Sequence, residues 1–381
     1  MIAPMTRAML LALALAACGG GAARSVGTTT PTDPNAPAAP ADPINPAARR
    51  EFEAAVRALR LGGPEAPATA KARFEEAVRL DGKLWEAWHD LGVLRGRAGD
   101  DDGAIEAFGK AIAINPAHTP SRLARAEAHR RAGHTGDARA DYQAILVGAL
   151  ADDPLRQDAA ARVASLLRGS DDHDDAIDVL RATLRTSGPS SKIYTELGLV
   201  YLAQGREELA DLVLRKALEL DSKDPATHNA LALLAQRQGK SQEAFDRFDR
   251  ATAIDPGYLD ARFNTASVLL DAGDFIRAEQ ELAQVVAKRP DDWEAQVALG
   301  LARRGQKDFD GAKKTWQLVV DQAPRRSRAR GDALWNLVVL KSDFLDDPAG
   351  AKGDLERFLQ DAGTTHPRRQ AAEQKQKELR P

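Results

Sequence analysis

The chain holds a single thiol, Cys18, in 381 residues. Neither an internal disulfide framework nor a cysteine-built metal cluster is open to it. Its seven histidines are scattered, and none sits in an H-E-x-x-H arrangement. A G-x-S-x-G nucleophile elbow, a phosphate-cradling G-x-x-x-x-G-K-[ST] loop and a glycine-rich dinucleotide fingerprint are all missing. The densest run of ligand-type residues is Asp171, Asp172, His173, Asp174 and Asp175. It has the donors to hold a cation, but it also has the composition of a solvated turn whose carboxylates favour the start of a helix, and the turn accounts for every residue. His228 falls at a packing position rather than where a general base would stand. The expectation is a chain that is not an enzyme, with no catalytic residues, no cofactor and no metal. What remains able to do chemistry is Cys18 and a set of arginines that could meet carboxylates in bidentate fashion.

The elements that must position those arginines are repetitive. From Glu51 the chain lays out in units of 34 residues: 51–84, 85–118, 119–152, 157–190, 191–224, 225–258, 259–292 and 293–326. One short insertion, around Asp153 and Pro154, breaks the register. Position 20 of these units is Ala70, Ala104, Ala138, Ala176, Ala210, Ala244, Ala278 and Ala312, and position 8 is always alanine or glycine. Small residues at both sites let two helices of one unit approach closely. Position 24 is large and apolar throughout, from Phe74 and Phe108 to Leu282 and Trp316, so it belongs to the core. Gly99, Gly133, Gly205, Gly239 and Gly273 share position 15, where a left-handed residue ends a helix without steric cost. Pro116, Pro256, Pro290 and Pro324 stop the second helix. A degenerate ninth unit runs over 331–364, and 365–381 is a charged tail or capping helix.

This pattern resembles the tetratricopeptide repeat (TPR) family. In the best unit, Trp88, Leu91, Gly92, Ala104, Phe108, Ala111 and Pro116 fall on the family's signature positions. The resemblance implies an all-α, right-handed superhelical solenoid of about nine helix-turn-helix repeats, following a disordered linker. It also implies a concave groove built mainly from the first helix of each unit, with positions 2, 5, 6, 9, 12 and 13 facing inward. Those positions supply Arg97, Arg130, Arg131, Arg162, Arg168, Lys192 and Arg237 as a basic strip. They also supply Leu199, Leu202, Asn229, Leu233, Phe263, Asn264 and Leu301 as a more apolar stretch. The expected occupant is an extended or helical segment with an acidic and an apolar end. The lysine and asparagine with which some TPR domains grip a chaperone's terminal carboxylate are absent at positions 5 and 9.

Residues 1–17 have the build of a signal peptide, with Arg7 ahead of an apolar run, Ala8 to Ala17, too short to span a bilayer. Leu15, Ala16, Ala17 and Cys18 resemble the lipobox of bacterial lipoproteins, which implies that Cys18 becomes the acylated first residue. Residues 18–50, rich in Gly, Thr, Pro and Ala, are expected to be a disordered tether with a reach on the order of 30 Å. Gly19 lacks the aspartate that often marks inner-membrane retention, so the resemblance implies a lipid anchor in the outer membrane, facing the periplasm. The formal charge of -3 leaves no basic field for nucleic acid. A lipobox followed by TPR units is similar to outer-membrane lipoproteins that help assemble envelope machines of the pilus or gliding-motility type. The expected function is a noncatalytic protein-interaction scaffold holding other envelope proteins. The alternative is an adaptor presenting substrates to a periplasmic protease or cell-wall enzyme. Oligomeric state is left open.

Overall fold

A computed structural model describes residues 43–361 and 366–379. The expected signal peptide, Cys18 and most of the tether lie outside the described residues. Among those residues there are nineteen helices and no strand. The first helices of the units are α1 (Pro46–Leu61), α3 (Trp85–Arg97), α5 (Thr119–Arg131), α7 (Pro154–Gly169), α9 (Ser191–Ala203), α11 (Pro225–Arg237), α13 (Leu259–Asp271), α15 (Trp293–Gly305) and α17 (Arg328–Asp343). Their partners are α2 (Ala66–Leu80), α4 (Asp101–Ile114), α6 (Thr135–Gly148), α8 (His173–Ser187), α10 (Glu207–Leu220), α12 (Ser241–Ile254), α14 (Phe275–Lys288), α16 (Phe309–Gln322) and α18 (Pro348–Asp361). A last helix, α19 (Arg369–Glu378), follows.

Each helix packs on the next, and first helices of successive units also touch, as α5 on α7, α7 on α9 and α9 on α11. First helices that meet across units while their partners stay apart curve the stack, with the first helices inside. The solenoid's inner wall is therefore made of odd-numbered helices.

The small-to-large pairing within units sets the spacing. All eight alanines at position 20, Ala70 through Ala312, are fully buried. At position 8 the backbone of one helix rests on the position-24 side chain of its partner. A Cβ added at Gly92 would lie 2.7 Å from the Phe108 ring, one at Gly198 2.5 Å from Leu214, and one at Gly300 2.2 Å from Trp316. The five glycines at position 15 all take positive φ, between 71° and 81°. In two units without glycine there, Asp171 (φ 61°) and Lys307 (φ 67°) adopt the same left-handed conformation.

Three stretches lie outside the regular register. Helix α1 begins at Pro46, inside the stretch expected to be tether. Asn45 caps it by accepting from Ala47 N at 2.9 Å, its own N–H is held by Asp81 at 2.8 Å, and Ala48 is fully buried. The insertion at Asp153 and Pro154 does not form a loop. Asp153 caps α7, Pro154 takes its first turn, and the extra residues lengthen the helix to 16 residues. The charged tail carries a helix that docks: Ala372 of α19 is fully buried, Lys375 Nζ meets Asp343 at 2.9 Å, and Arg369 donates to the Leu359 carbonyl at 2.8 Å.

Candidate functional site

Position 4 of the first helix locks five of the inter-unit turns. Its side chain donates to a carbonyl six residues back: Trp88 to Gly82 (3.0 Å), Arg122 to Pro116 (3.2 Å), Arg262 to Pro256 (3.0 Å) and Gln296 to Pro290 (3.3 Å). His228 does the same with Nε2 on the Ser222 carbonyl at 3.0 Å. That nitrogen must carry the proton, and burial lowers the imidazole's pKa, so His228 is a neutral turn clamp. Any donor long enough to reach serves, which is why residue type varies at this position.

Five consecutive first helices, α5 to α13, line a cleft of about 730 Å³. The structure gathers Arg162, Arg168, Lys192, Leu199, Asn229, Leu233 and Asn264 there, as the register predicts. It does not gather the rest. Leu202 is only 4% exposed and belongs to the core between units, so it offers no surface to a partner. Arg237 donates to the Leu202 carbonyl, capping the end of α9. Phe263 packs toward the core around Leu269 and Leu282. Arg97 and Arg131 line a separate shallow hollow over Gly96 and Phe108, and Leu301 lines another beside Trp335 and Arg304.

The cleft is not a basic strip. Glu127, Asp158, Glu196 and Asp260 share it with the cations. Arg162 pairs with Glu127 at 2.8 Å, Lys192 with Asp158, and Arg131, outside the cleft, with Asp101 at 2.6 Å. Arg130 also meets Glu127, at 3.0 Å. Burial pushes the Glu127 carboxyl up, but Arg162, Arg130 and the Tyr142 hydroxyl, which donates at 2.9 Å, outweigh that and hold it below the ordinary carboxylate range. Exposed pairs of this kind contribute about 0–1 kcal/mol each, but they cancel the positive field that an acidic partner would need.

Glu196 is the exception. Arg168 pairs with it only at 3.8 Å, beyond a hydrogen bond, so the buried Glu196 Oε2 is without a hydrogen-bond partner. Burial raises this carboxyl above its usual range, against the pull of Arg168 and Arg162. Beside it, Asn264 Nδ2 donates to Asn229 Oδ1 at 2.9 Å, and burial raises the Tyr258 phenol. Asp158 and Asp260 stand at position 2, Glu196 at position 6 and Glu127 at position 9, all inward positions. The signal was in the register, and reading only the cations from it left the acids out.

Family models described as "Tetratricopeptide repeat" match residues 86–118 and 191–224, residues 123–192, and residues 235–299 and 269–331. The chain belongs to the tetratricopeptide-repeat proteins. Among curated relatives it is 23% identical over 187 residues to anaphase-promoting complex subunit 3 of Schizosaccharomyces pombe, covering 49% of this chain and 28% of that protein. It is 26% identical over 262 residues to cellulose synthase operon protein C of Pseudomonas fluorescens, covering 61% and 20%. It is 33% identical over 91 residues to the type IV pilus assembly protein PilF of Pseudomonas aeruginosa, covering 24% and 36%. The chain thus spans between a fifth and about a third of the length of these relatives. A solved structure of a monomeric IFIT1 mutant with Gppp-AAAA aligns with TM-score 0.56 at 15% identity, over 82% of this chain and 76% of that one. The last likeness bears on the fold alone. The TPR array is a protein-interaction scaffold by family.

Proposed function

We propose that this TPR protein is a noncatalytic scaffold of the bacterial envelope, lipid-anchored through Cys18 in the outer membrane and facing the periplasm. Its α5–α13 cleft holds a polypeptide segment of a partner envelope protein while a multiprotein machine of the pilus or gliding-motility type is assembled. The observation that carries the reading is Glu196: a buried carboxyl oxygen without a hydrogen bond, in an open cleft that runs across five first helices. A buried acceptor left unmet costs about 1–3 kcal/mol, and an incoming donor recovers that cost. The partner segment therefore presents a lysine or arginine side chain at Glu196. Apolar side chains of the segment meet Leu199 and Leu233, and its backbone amides meet Asn229 and Asn264. This reverses the charge expected from the arginines alone. The names of PilF and of cellulose synthase operon protein C support an envelope setting.

Crosslinking pull-down from native membranes, with the chain tagged at its C-terminus, tests the proposal. The expected result is a defined set of envelope proteins, captured by the wild type and lost with Glu196→Lys or with Cys18→Ala. Capture unchanged by both substitutions would withdraw the anchored-scaffold reading. Accumulation of uncleaved periplasmic substrates in a deletion strain, with every envelope machine intact, would instead select the adaptor.

A further inference from the structure

The helical hairpin of residues 119–148 brings three metal-ligating side chains together at its turn. His129 lies in the last turn of α5, His134 is the N-cap residue of α6, and Asp137 stands in the first turn of α6. One ligand atom from each lies within 4.8 Å of the other two, and the two imidazole centroids are 5.7 Å apart.

Two observations show that donor atoms of this trio are uncommitted. His129 Nδ1 is buried and has no hydrogen-bond partner, an unmet capacity in a group that ordinarily finds one. His134 occupies a cap position without using its side chain to cap. The contrast is within the same hairpin: His118 caps α5 by accepting from Ser121 N through Nδ1 at 3.2 Å. Neither His134 nitrogen is committed to a cap, so both are open to a ligand.

We propose that His129, His134 and Asp137 form a binding site for a late first-row divalent cation of the zinc type. Two neutral imidazoles and one carboxylate suit such an ion, and three protein ligands leave a position for water or a partner's ligand. His134 and Asp137 are exposed, so small rotamer changes close the remaining distance. The cations nearby do not forbid it. Arg125 feels the charge of Asp137, but its guanidinium is held by Asp141 at 2.7 and 2.6 Å. An ion there ties the end of α5 to the start of α6 and stiffens the hairpin that forms one end of the cleft. The Asp171–Asp175 run has no comparable set: His173 Nε2 is 3.8 Å from Asp171 and no third ligand joins them.

The test is calorimetric titration of the metal-free folded chain with Zn²⁺, repeated for His134→Ala and for Asp137→Asn, alongside thermal unfolding with and without Zn²⁺. Because His134 caps nothing with its side chain, its replacement leaves the fold intact. The expected result is one equivalent of Zn²⁺ bound by the wild type, an affinity at least about tenfold weaker in His134→Ala, and a zinc-dependent rise in Tm seen only in the wild type. Equal isotherms for wild type and both variants place any bound zinc on other histidines and overturn the proposal. So does a wild type that takes up no zinc.

Discussion

At the scale of single residues, adjacent side chains on α3 carry opposite pH responses. Burial, aided by the charge of His118, lowers the pKa of His89 to about 4. Burial, aided by Glu86, raises that of Asp90 to about 6. A histidine depressed from 6.5 stabilises the fold fully above that value, and the contribution falls away as pH drops toward 4, because the unfolded chain binds the proton first. A carboxyl raised from 3.8 does the reverse: its charge costs stability above pH 6, and the cost vanishes as pH falls toward 4. The two slopes oppose each other, so in the wild type the contributions of this pair nearly cancel between pH 4 and 6. Asp90→Asn removes one slope. The variant is expected to be more stable than the wild type at pH 7.5 by on the order of 1–2 kcal/mol after allowance for solvent screening, and equal to it at pH 4. Urea unfolding at the two pH values checks this, and an equal gain at both would show that packing, not charge, is responsible. Lys307 poses a simpler case. It holds φ 67° where five other units use glycine, so Lys307→Gly is expected to stabilise by about 0.5–1 kcal/mol, read as a shift of the urea midpoint at constant slope.

At the scale of the helical hairpin, the decisive contact is a helix backbone against one large side chain, and its tolerance depends on what holds that side chain. Trp316 is fully buried and donates through Nε1 to the Val297 carbonyl at 3.0 Å, on the helix that carries Gly300. It cannot retreat without breaking that bond. Gly300→Ala gains about 1 kcal/mol of helix propensity but forces this ring aside, and a net loss of about 2 kcal/mol is expected. Gly198→Ala meets the branched end of Leu214, which can change rotamer, so its loss is expected to be smaller. Thermal unfolding of the two variants ranks them, and an equal or reversed order would locate the rigidity elsewhere. This contact was legible in the sequence because small and large residues recur at fixed positions 16 residues apart (Gly92 and Phe108, Gly300 and Trp316). The turn clamps were not legible, since tryptophan, arginine, histidine and glutamine fill one role that depends only on reach. Nor was the trio at His129, His134 and Asp137, whose members carry no repeat signal and meet only because the left-handed Gly133 folds one helix end onto the next start.

At the scale of the whole array, stability is a chain of neighbour contacts, and position in the stack decides what a unit needs. The inward register foretold which helices would line the cleft, but charge balance there depends on pairs from different units, such as Arg162 on α7 with Glu127 on α5. No single unit's sequence states that. The C-terminal end shows the same dependence. The α17–α18 hairpin is covered by the single helix α19, with Ala372 buried and His366 set edge-on against Phe358 at 5.0 Å between ring centres. Within the hairpin, Lys341 and Asp354 form a largely buried pair at 2.6 Å, so anything that loosens α17 from α18 also leaves a charge poorly solvated. Truncation after Asp361 is therefore expected to open α17 and α18 locally while distant units such as α3–α4 keep their contacts. Hydrogen exchange followed by mass spectrometry should find faster exchange strongest in residues 328–361 and fading through α15 and α16. Faster exchange spread evenly from α1 onward would mean that the array unfolds as one cooperative block and that the neighbour-contact account is wrong for this chain.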